Sequence, residues 1–174
     1  MHGRRNDEIV RDFLGAGVDP RVVFEHGAAK ERLFREMMRP QLAEKLVAGA
    51  VDFLNRIDPA RTALATNAEP ANVDFVLDGT GLRERFGAIV DGTQVAHAKP
   101  APDVYLRAAE LLGAAPANCI VFEDSPVGIA AARAAGARVV GVLTHSVTLA
   151  HIDYSVRDFR DPGLETWLAA QRAR

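Results

Sequence analysis

The chain has 174 residues and a net charge of −2, with 48% hydrophobic and 25% charged residues. This composition is typical of a globular protein, and the length is enough to bury a full core in one domain or in a core with a small appendage. The lack of a basic surplus argues against a nucleic-acid partner. No apolar run reaches the roughly 18 residues of a membrane span, and no apolar signal-peptide stretch follows MHGRRNDE.

The cysteine content bears on the compartment. Cys119 is the one cysteine of the sequence, so no internal disulfide can form. This agrees with a reducing environment. We therefore expect a cytoplasmic protein that does not associate with membranes.

The first part of the chain predicts helices only. Asn6 begins a short helix that Gly15 stops, and Asp19-Pro20 begins a longer one that ends at Pro40. A further helix is predicted over residues 46–57, where apolar residues recur at helical spacing. Because no strand pattern precedes this point, we predict that residues 1–43 form a partial helical cap and that residues 44–174 form the core.

Strands alternate with helices in the rest of the chain. The predicted strands are 62–66, 88–90, 119–122 and 138–143, and the predicted helices are 69–78, 103–112, 126–136 and 164–172. Such alternation favours right-handed crossovers and a parallel sheet. We therefore predict an α/β fold with a Rossmann-like parallel sheet flanked by helices.

Two acids, Glu123 and Asp124, follow the apolar run 119–122, which predicts a strand buried on both faces. Ligands of open α/β sheets bind at the carboxyl ends of the strands. Ser125-Pro126 is typical of a helix N-cap and first turn, which attracts phosphate, and paired carboxylates suit Mg²⁺. The alternative is that both acids form a solvated strand end that helps to cap the helix.

Two other segments carry groups suited to a phosphoryl oxygen. Thr66 and Asn67 follow the first core strand and precede a helix, so their side chains and backbone N–H groups could bind phosphate, although an N-cap motif has the same residues. Lys99 lies in HAKPAPD, where prolines stiffen the chain and a fixed cation could stabilise a developing anion. A lone Lys is more often a solvated surface group.

The order of these segments is specific. ATNAEP, HAKPAPDVYLRAAELLG and VFEDSPVGIAAARAAG resemble motifs II, III and IV of the haloacid dehalogenase-like (HAD) hydrolase superfamily. MHGRRNDEIVRDFLG resembles the helical cap of the branch that includes phosphoglycolate phosphatase and β-phosphoglucomutase. The resemblance covers nearly the whole chain and implies Mg²⁺-dependent phosphoryl transfer on a small phosphorylated metabolite.

The resemblance also implies residue roles. Thr66 and Asn67 would bind the transferring phosphoryl group, and Lys99 would neutralise that group and the nucleophile. Asp124 would coordinate Mg²⁺, with Glu123 as a direct or water-mediated partner. Arg5, in a cap loop, could bind a phosphate or carboxylate of the substrate, although solvated arginines beside acidic residues are an equal alternative.

The sequence departs from the family at motif I. This motif, DxDGT or DxDGV after the first strand, supplies an Asp nucleophile and an Asp acid/base, and we do not find it in the chain. Asp78-Gly79-Thr80 is a decoy, because Val76 stands two positions before Asp78 and the segment is expected to be a helix that ends at Gly79. We therefore expect the first strand of the core to be missing and the chain to self-associate through the uncovered sheet.

Three hypotheses follow. The first is a phosphatase or phosphomutase whose complete form carries motif I upstream. The second is a non-catalytic, truncated HAD-like module that binds phosphate or a partner. The third, a response-regulator-like or other flavodoxin-like domain, has acids at strand ends but does not explain the Lys-Pro-Ala-Pro segment.

Overall fold

The computed structural model describes residues 6–144 and 148–172. In these ranges the α-helices are α1 (Asn6–Leu14), α2 (Pro20–Met38), α3 (Ala50–Asn55), α4 (Pro70–Thr80), α5 (Asp103–Leu111), α6 (Pro126–Ala134) and α7 (Pro162–Arg172). The strands are β1 (Ala63–Ala65), β2 (Ala88–Val90), β3 (Ile120–Glu123), β4 (Arg138–Val142) and β5 (Tyr154–Val156). The helix-only beginning and the later strand–helix alternation agree with the sequence-based prediction.

Two of the helix boundaries that differ from the prediction lie at glycines. The helix expected over residues 46–57 is only α3, because Leu46 is extended and Gly49 adopts a left-handed φ of 76° immediately before the helix begins. The helix α4 continues past Gly79 to Thr80 and ends at Gly81, which has a left-handed φ of 69°. In both cases a glycine with positive φ, rather than the apolar spacing, sets the boundary.

The strands form two parallel sheets. β1 pairs with β2, and β4 lies between β3 and β5. This confirms the prediction of an α/β fold with parallel strands flanked by helices. The sequence analysis did not predict β5, because Ser155 interrupts its apolar residues and charged residues flank the strand. Tyr154 stacks on Trp167 of α7 and fixes the strand against that helix.

Helices cover both faces of the sheets. The largest apolar cluster lies between the strands and the pair α5 and α6, and includes Val90, Val104 and Val139. On the other face, α3 and α7 pack on the three-stranded sheet, and α4 packs on the two-stranded sheet. The core therefore extends across both sheets as two helical layers around one layer of strands.

The burial of β3 differs from the prediction of a strand covered on both faces. All four residues of β3 and all three of β1 are half-buried, whereas four of the five residues of β4 are buried. The reason is the position of the strands: β1 and β3 are each the edge of their sheet and do not pair with each other. An apolar run in the sequence does not distinguish an edge strand from a central one.

The helical hairpin of α1 and α2 contacts the core through a polar junction with α4. Arg35 donates hydrogen bonds to Glu69 Oε1 at 2.8 Å and to Asn72 Oδ1 at 2.6 Å. The Asn72 amide donates to the buried carboxylate of Glu31. The domain boundary predicted near residue 43 stays a prediction. No described helix has the length and apolar character that a membrane span requires.

Replacement of Asn72 by Ala should destabilise the chain by about 1–3 kcal/mol, because the buried Glu31 carboxylate loses its amide donor. Urea unfolding monitored by circular dichroism would measure the loss. Asp74→Ala is the matched control on the same helix: its exposed ion pair with Arg83 should contribute less than about 1 kcal/mol. Equal losses in the two variants would contradict the importance of the junction.

Candidate active site

Lys99 joins the carboxyl ends of β1 and β3. Its ammonium donates to the Ala65 carbonyl at the end of β1 at 3.1 Å and to the Tyr105 hydroxyl at 2.8 Å, and it forms an ion pair with Glu123 at the end of β3. Both partners of the pair are buried, with 7% and 9% of their side chains exposed. All three N–H groups of the ammonium therefore have acceptors, and Lys99 is not a solvated surface group.

The Glu123 carboxylate accepts hydrogen bonds on both oxygens. Lys99 and Tyr105 donate to Oε1, while the Ser125 hydroxyl and backbone N–H donate to Oε2 at 3.0 and 3.3 Å. Gly128 gives the carboxylate its space, since a Cβ at that position would lie about 2 Å from the Glu123 carboxyl atoms. The network explains why a strand ending in Glu is followed by a helix with Gly in its first turn.

The surroundings of Glu123 shift two pKa values. Burial opposes ionisation of the Glu123 carboxyl, but the Lys99 charge and the hydrogen bonds from Lys99, Tyr105 and Ser125 outweigh burial and lower its pKa. Burial, followed by the negative charge of Glu123, raises the pKa of Tyr105. Tyr105 therefore stays a neutral hydroxyl that accepts from Lys99 and donates to Glu123.

Asp124 lies beside this network and faces a different partner. Its Oδ2 accepts a hydrogen bond from the Thr144 hydroxyl at 2.9 Å, just after the end of β4. Ser125 caps α6 by accepting from the Gly128 N–H at 3.1 Å, which confirms the predicted N-cap. The carboxylate of Asp124 and the hydroxyl of Thr144 are therefore neighbouring oxygen groups at the sheet edge.

The oxygens at this edge fit a magnesium ion only in part. Mg²⁺ prefers hard oxygen ligands and usually keeps several waters, so a half-buried carboxylate with a neighbouring hydroxyl is a suitable donor set. Glu123 is less suitable as a direct ligand, because both of its oxygens already accept hydrogen bonds. In the part of the chain that the structure describes, no three His, Cys, Asp or Glu side chains lie together as a ready-made metal cluster.

Thr66 and Asn67 lie at the end of β1, on the same side as Lys99. Thr66 Oγ1 accepts from the Ala68 N–H at 3.1 Å, and Asn67 Oδ1 accepts from the Lys99 backbone N–H at 3.1 Å. The amide of Asn67 therefore fixes the Lys99 loop as well as following the strand. Arg5 lies outside the described residues, so its predicted role stays a prediction.

Tyr105 and Thr144 are site residues that the sequence analysis missed. Tyr105 is in the first turn of α5, six residues after Lys99, and its sequence position alone does not show that its hydroxyl contacts the Lys99 ammonium. Thr144 follows β4, and the rule that sites form at the carboxyl ends of parallel strands could have found it. Asp78, by contrast, is exposed at the end of α4 and paired with Arg83.

This geometry combines a buried cation, a half-buried carboxylate, a helix N-terminus and several hydroxyl and amide groups at one sheet edge. Such a set can position and neutralise a phosphoryl group, because phosphoryl transfer depends on positioning and on stabilising negative charge. No residue of the network is arranged as a free nucleophile: Glu123 is ion-paired and hydrogen-bonded on both oxygens.

The sequence profile of the haloacid dehalogenase-like hydrolases matches residues 5–136. The chain belongs to this family. The protein CbbY of Rhodobacter capsulatus is 40% identical over 160 residues, which are 88% of this chain and 69% of that protein. The fructose-1-phosphate phosphatase YqaB of Escherichia coli is 46% identical over 142 residues, or 78% of this chain and 69% of YqaB.

A crystal structure of CbbY from Rhodobacter sphaeroides in complex with xylulose-1,5-bisphosphate superposes with a TM-score of 0.72 and 27% identity, covering 91% of this chain and 75% of CbbY. The resemblance to the HAD superfamily is thereby confirmed. The three relatives are phosphatase or CbbY proteins, so this HAD chain lies among the phosphate-handling members of the family.

Replacement of Gly128 by Ala should displace the Glu123 carboxylate from its donors, because the added methyl group would overlap it. The loss of charge-assisted hydrogen bonds should lower the free energy of unfolding by about 2–3 kcal/mol. Urea unfolding would measure the change. Gly17→Ala is the control, because a Cβ there meets no atom within 4 Å, and its free energy of unfolding should be close to that of the unchanged chain. If Gly128→Ala and Gly17→Ala both left the free energy of unfolding almost unchanged, the displacement of the Glu123 carboxylate would not be destabilising.

The Lys99–Glu123 pair should also give a defined pH dependence. Because the pKa of Glu123 is below the ordinary value of 4.5, its stabilising contribution is full above about pH 4.5 and is lost as the pH falls through the lowered pKa. In Lys99→Met, burial dominates and raises the pKa of Glu123, so this variant should be destabilised by about 3–5 kcal/mol at pH 7 and less at pH 4.

Urea unfolding of Lys99→Met at several pH values, with a chelator present, would test this. The double variant Lys99→Met with Glu123→Gln removes the charge and should recover part of the loss at pH 7. If the difference between Lys99→Met and the unchanged chain were the same at pH 7 and pH 4, Lys99 would not be the group that keeps Glu123 ionised.

Proposed function

We propose that the complete protein catalyses Mg²⁺-dependent phosphoryl transfer, as a cytoplasmic phosphatase or phosphomutase acting on a small phosphorylated metabolite. The observation that supports this most is the position of the buried Lys99 ammonium between the ends of β1 and β3, on the same edge as Thr66 and Asp124. A cation held there is suited to negative charge that develops during transfer.

Each site residue of the chain would have its own role in the reaction. Thr66 and Asn67 would bind the phosphoryl oxygens, and Lys99 would neutralise the phosphoryl group and the attacking carboxylate. Asp124 would hold Mg²⁺, which when bound would neutralise phosphoryl charge, and Glu123 would act through water or by holding Lys99 in place. Arg5 would contact the substrate from the cap.

The names of the relatives suggest a substrate class. YqaB is a fructose-1-phosphate phosphatase, and CbbY binds xylulose-1,5-bisphosphate in the crystal. Both compounds are phosphorylated sugars with five or six carbons. We propose a sugar phosphate or bisphosphate of this size as the substrate.

The nucleophile would be a carboxylate from outside the 174 residues. Thr66, Lys99, Glu123 and Asp124 can position a phosphoryl group, but Lys99 and Glu123 already neutralise each other. The second candidate function is a non-catalytic module that binds phosphate or a partner. Self-association through the open edges of β1 and β3 also stays a prediction, which a molecular-mass measurement would test.

The 174-residue chain alone should show little or no Mg²⁺-dependent hydrolysis of an aryl phosphate, because positioning without a nucleophile leaves only slow attack by water. A longer chain with an upstream strand and Asp should hydrolyse the substrate, and should lose activity by at least about 100-fold in Lys99→Met or Asp124→Asn. Fast turnover by the short chain that Asp124→Asn abolishes would show that another residue is the nucleophile.

The metal role of Asp124 is testable without activity. Mn²⁺ added to the chain should enhance water proton relaxation, and Asp124→Asn should weaken this binding by about 10-fold or more, because a charged oxygen ligand becomes neutral. Asp74→Asn, on the surface of α4, is the control and should bind as the unchanged chain does. Equal binding by all three proteins would remove Asp124 from the metal site.

A further inference from the structure

The turn after β2 carries a buried carboxylate that the proposed reaction does not use. Asp91 follows the last residue of β2 and is 7% exposed. Its Oδ1 accepts from the Thr93 N–H at 2.8 Å and from the Thr93 hydroxyl at 2.6 Å, and its Oδ2 accepts from the Gln94 side-chain amide at 2.8 Å. Burial opposes ionisation of Asp91, but these hydrogen bonds outweigh burial and lower its pKa. The carboxylate is therefore charged at neutral pH and closes the turn 91–94.

The sequence of this turn, Asp91-Gly92-Thr93, matches the second half of motif I and follows a strand. Ile89, however, stands two positions before Asp91, where motif I has its nucleophile. Both oxygens of the Asp91 carboxylate already accept hydrogen bonds within the turn. The turn is therefore not a substitute for motif I, and its carboxylate needs a different explanation.

Gly92 holds the backbone of the loop that follows β1. Its N–H donates to the Ala68 carbonyl at 3.2 Å. A Cβ at Gly92 would lie 2.7 Å from the Asn67 carbonyl oxygen and 3.2 Å from the carbonyl carbon. These are backbone atoms, which cannot move aside as the end of a flexible side chain can, so only glycine lets the turn approach Asn67 this closely. Gly92 therefore fixes the distance between the two loops.

The side chain of Asn67 connects this contact to the Lys99 loop. Asn67 Oδ1 accepts from the Lys99 backbone N–H at 3.1 Å. Because Oδ1 faces Lys99, a phosphoryl oxygen would meet the Asn67 amide through its Nδ2 group. A shift of the Asn67 backbone would redirect that N–H group and would also release the Lys99 loop.

We propose that Asp91 is a positioning residue of the phosphate site. Its carboxylate closes the turn 91–94, the turn holds Gly92 against the Asn67–Ala68 backbone, and this contact sets the direction of the Asn67 amide and the position of the Lys99 loop. Asp91 itself does not touch the phosphate. The proposal rests on the proposed function where it concerns phosphate, whereas the contact between the two loops is testable without any ligand.

A purely structural role is the competing explanation, and the other end of β2 supplies a matched control. Gly87, just before β2, donates its N–H to the Pro59 carbonyl at 2.8 Å, and a Cβ there would lie 2.6 Å from the same oxygen. Neither Gly87 nor Gly92 has a positive φ, so replacement by Ala tests the overlap alone. Gly87→Ala and Gly92→Ala should both unfold at lower urea concentrations than the unchanged chain, but only Gly92→Ala should alter the phosphate site.

The first experiment needs no ligand. Hydrogen exchange followed by NMR would compare the Lys99 backbone N–H in the unchanged chain, Gly92→Ala and Gly87→Ala, with the amides of β4 as a reference for global stability. Relative to that reference, Gly92→Ala should accelerate exchange at Lys99 by about 10-fold or more, because Asn67 Oδ1 moves away from the N–H. Gly87→Ala should not. Equal acceleration in the two variants, or none in either, would overturn the proposal.

Inorganic phosphate, with Mg²⁺ present, is the probe for the site itself. Shifts of the Thr66 backbone and Asn67 side-chain N–H signals during a titration would give the Kd. Gly92→Ala should bind phosphate about 10-fold more weakly or worse, because the Asn67 donor is misdirected. Gly87→Ala, a distant site, should stay within about 2-fold of the unchanged chain.

The two possible failures are distinguishable. If the unchanged chain binds phosphate and Gly92→Ala binds it equally well, the positioning proposal is wrong. If phosphate shifts neither Thr66 nor Asn67 in the unchanged chain, the proposed function fails, and the exchange rate at Lys99 still decides whether the turn positions this loop.

Reciprocal substitutions test the carboxylate of Asp91. Asp91→Asn replaces an acceptor with a donor, so Thr93 or Gln94 loses a hydrogen bond whichever way the amide is turned. This variant should change Lys99 exchange and phosphate binding as Gly92→Ala does. Adding Gln94→Glu keeps the net charge and gives the new amide an acceptor, so both measurements should return to within about 3-fold of the unchanged chain. If Asp91→Asn changed neither measurement, or if the double variant recovered nothing, Asp91 would not be the residue that holds the turn.

Discussion

The ion pair between Lys99 and Glu123 is the contact on which the arrangement of this chain depends. It is buried, and it joins the loop before α5 to the end of β3, while the third hydrogen of Lys99 reaches the end of β1. A buried pair contributes to stability only when the remaining hydrogen-bonding capacity of both ions is satisfied. Tyr105, Ser125 and the Ala65 carbonyl satisfy it here. The pair therefore holds the two described sheets in one layer together with the apolar cluster under α5 and α6.

The same pair limits what the site can do in the described conformation. Each hydrogen of the Lys99 ammonium has an acceptor, so contact with a phosphoryl oxygen requires Lys99 to exchange one partner for another. Such an exchange keeps the number of hydrogen bonds constant. The positive charge of Lys99 then stabilises the ligand instead of Glu123. Tyr105, a neutral hydroxyl bonded to both ions, can keep Glu123 paired during the exchange.

The junction between α2 and α4 connects the helical hairpin to this site. Arg35 bonds to Glu69 and Asn72, which lie two and five residues after Asn67, and Asn67 in turn holds the Lys99 loop. Buried polar networks of this kind are directional, so they specify one orientation more strictly than apolar packing does. The position of the hairpin is therefore coupled to the loop that carries Thr66 through hydrogen bonds, in addition to the edge-on contact between Phe34 of α2 and Phe75 of α4.

The sequence by itself determined the elements of this protein and the residues that lie at strand ends. The strand–helix alternation, the caps at Asp19 and Ser125, and the motifs around Thr66, Lys99 and Asp124 are local patterns, and local patterns are set by propensity, capping and apolar spacing. These local patterns were also sufficient to identify the family. The sequence analysis missed the short strand β5, because Ser155 interrupts its apolar residues, and the true start of α3, because Gly49 acts through its φ rather than through its spacing.

Only the tertiary structure decided which of these residues meet. That Glu123 faces Lys99 while Asp124 faces Thr144, that Tyr105 bridges the pair, and that Gly128 leaves room for the carboxylate all depend on contacts between distant segments. The division into two sheets is of the same kind: β3 has the composition of a central strand, but its exposure is that of an edge. The composition of a strand indicates whether apolar groups cover its faces. Whether another strand pairs with its edge depends on the rest of the fold.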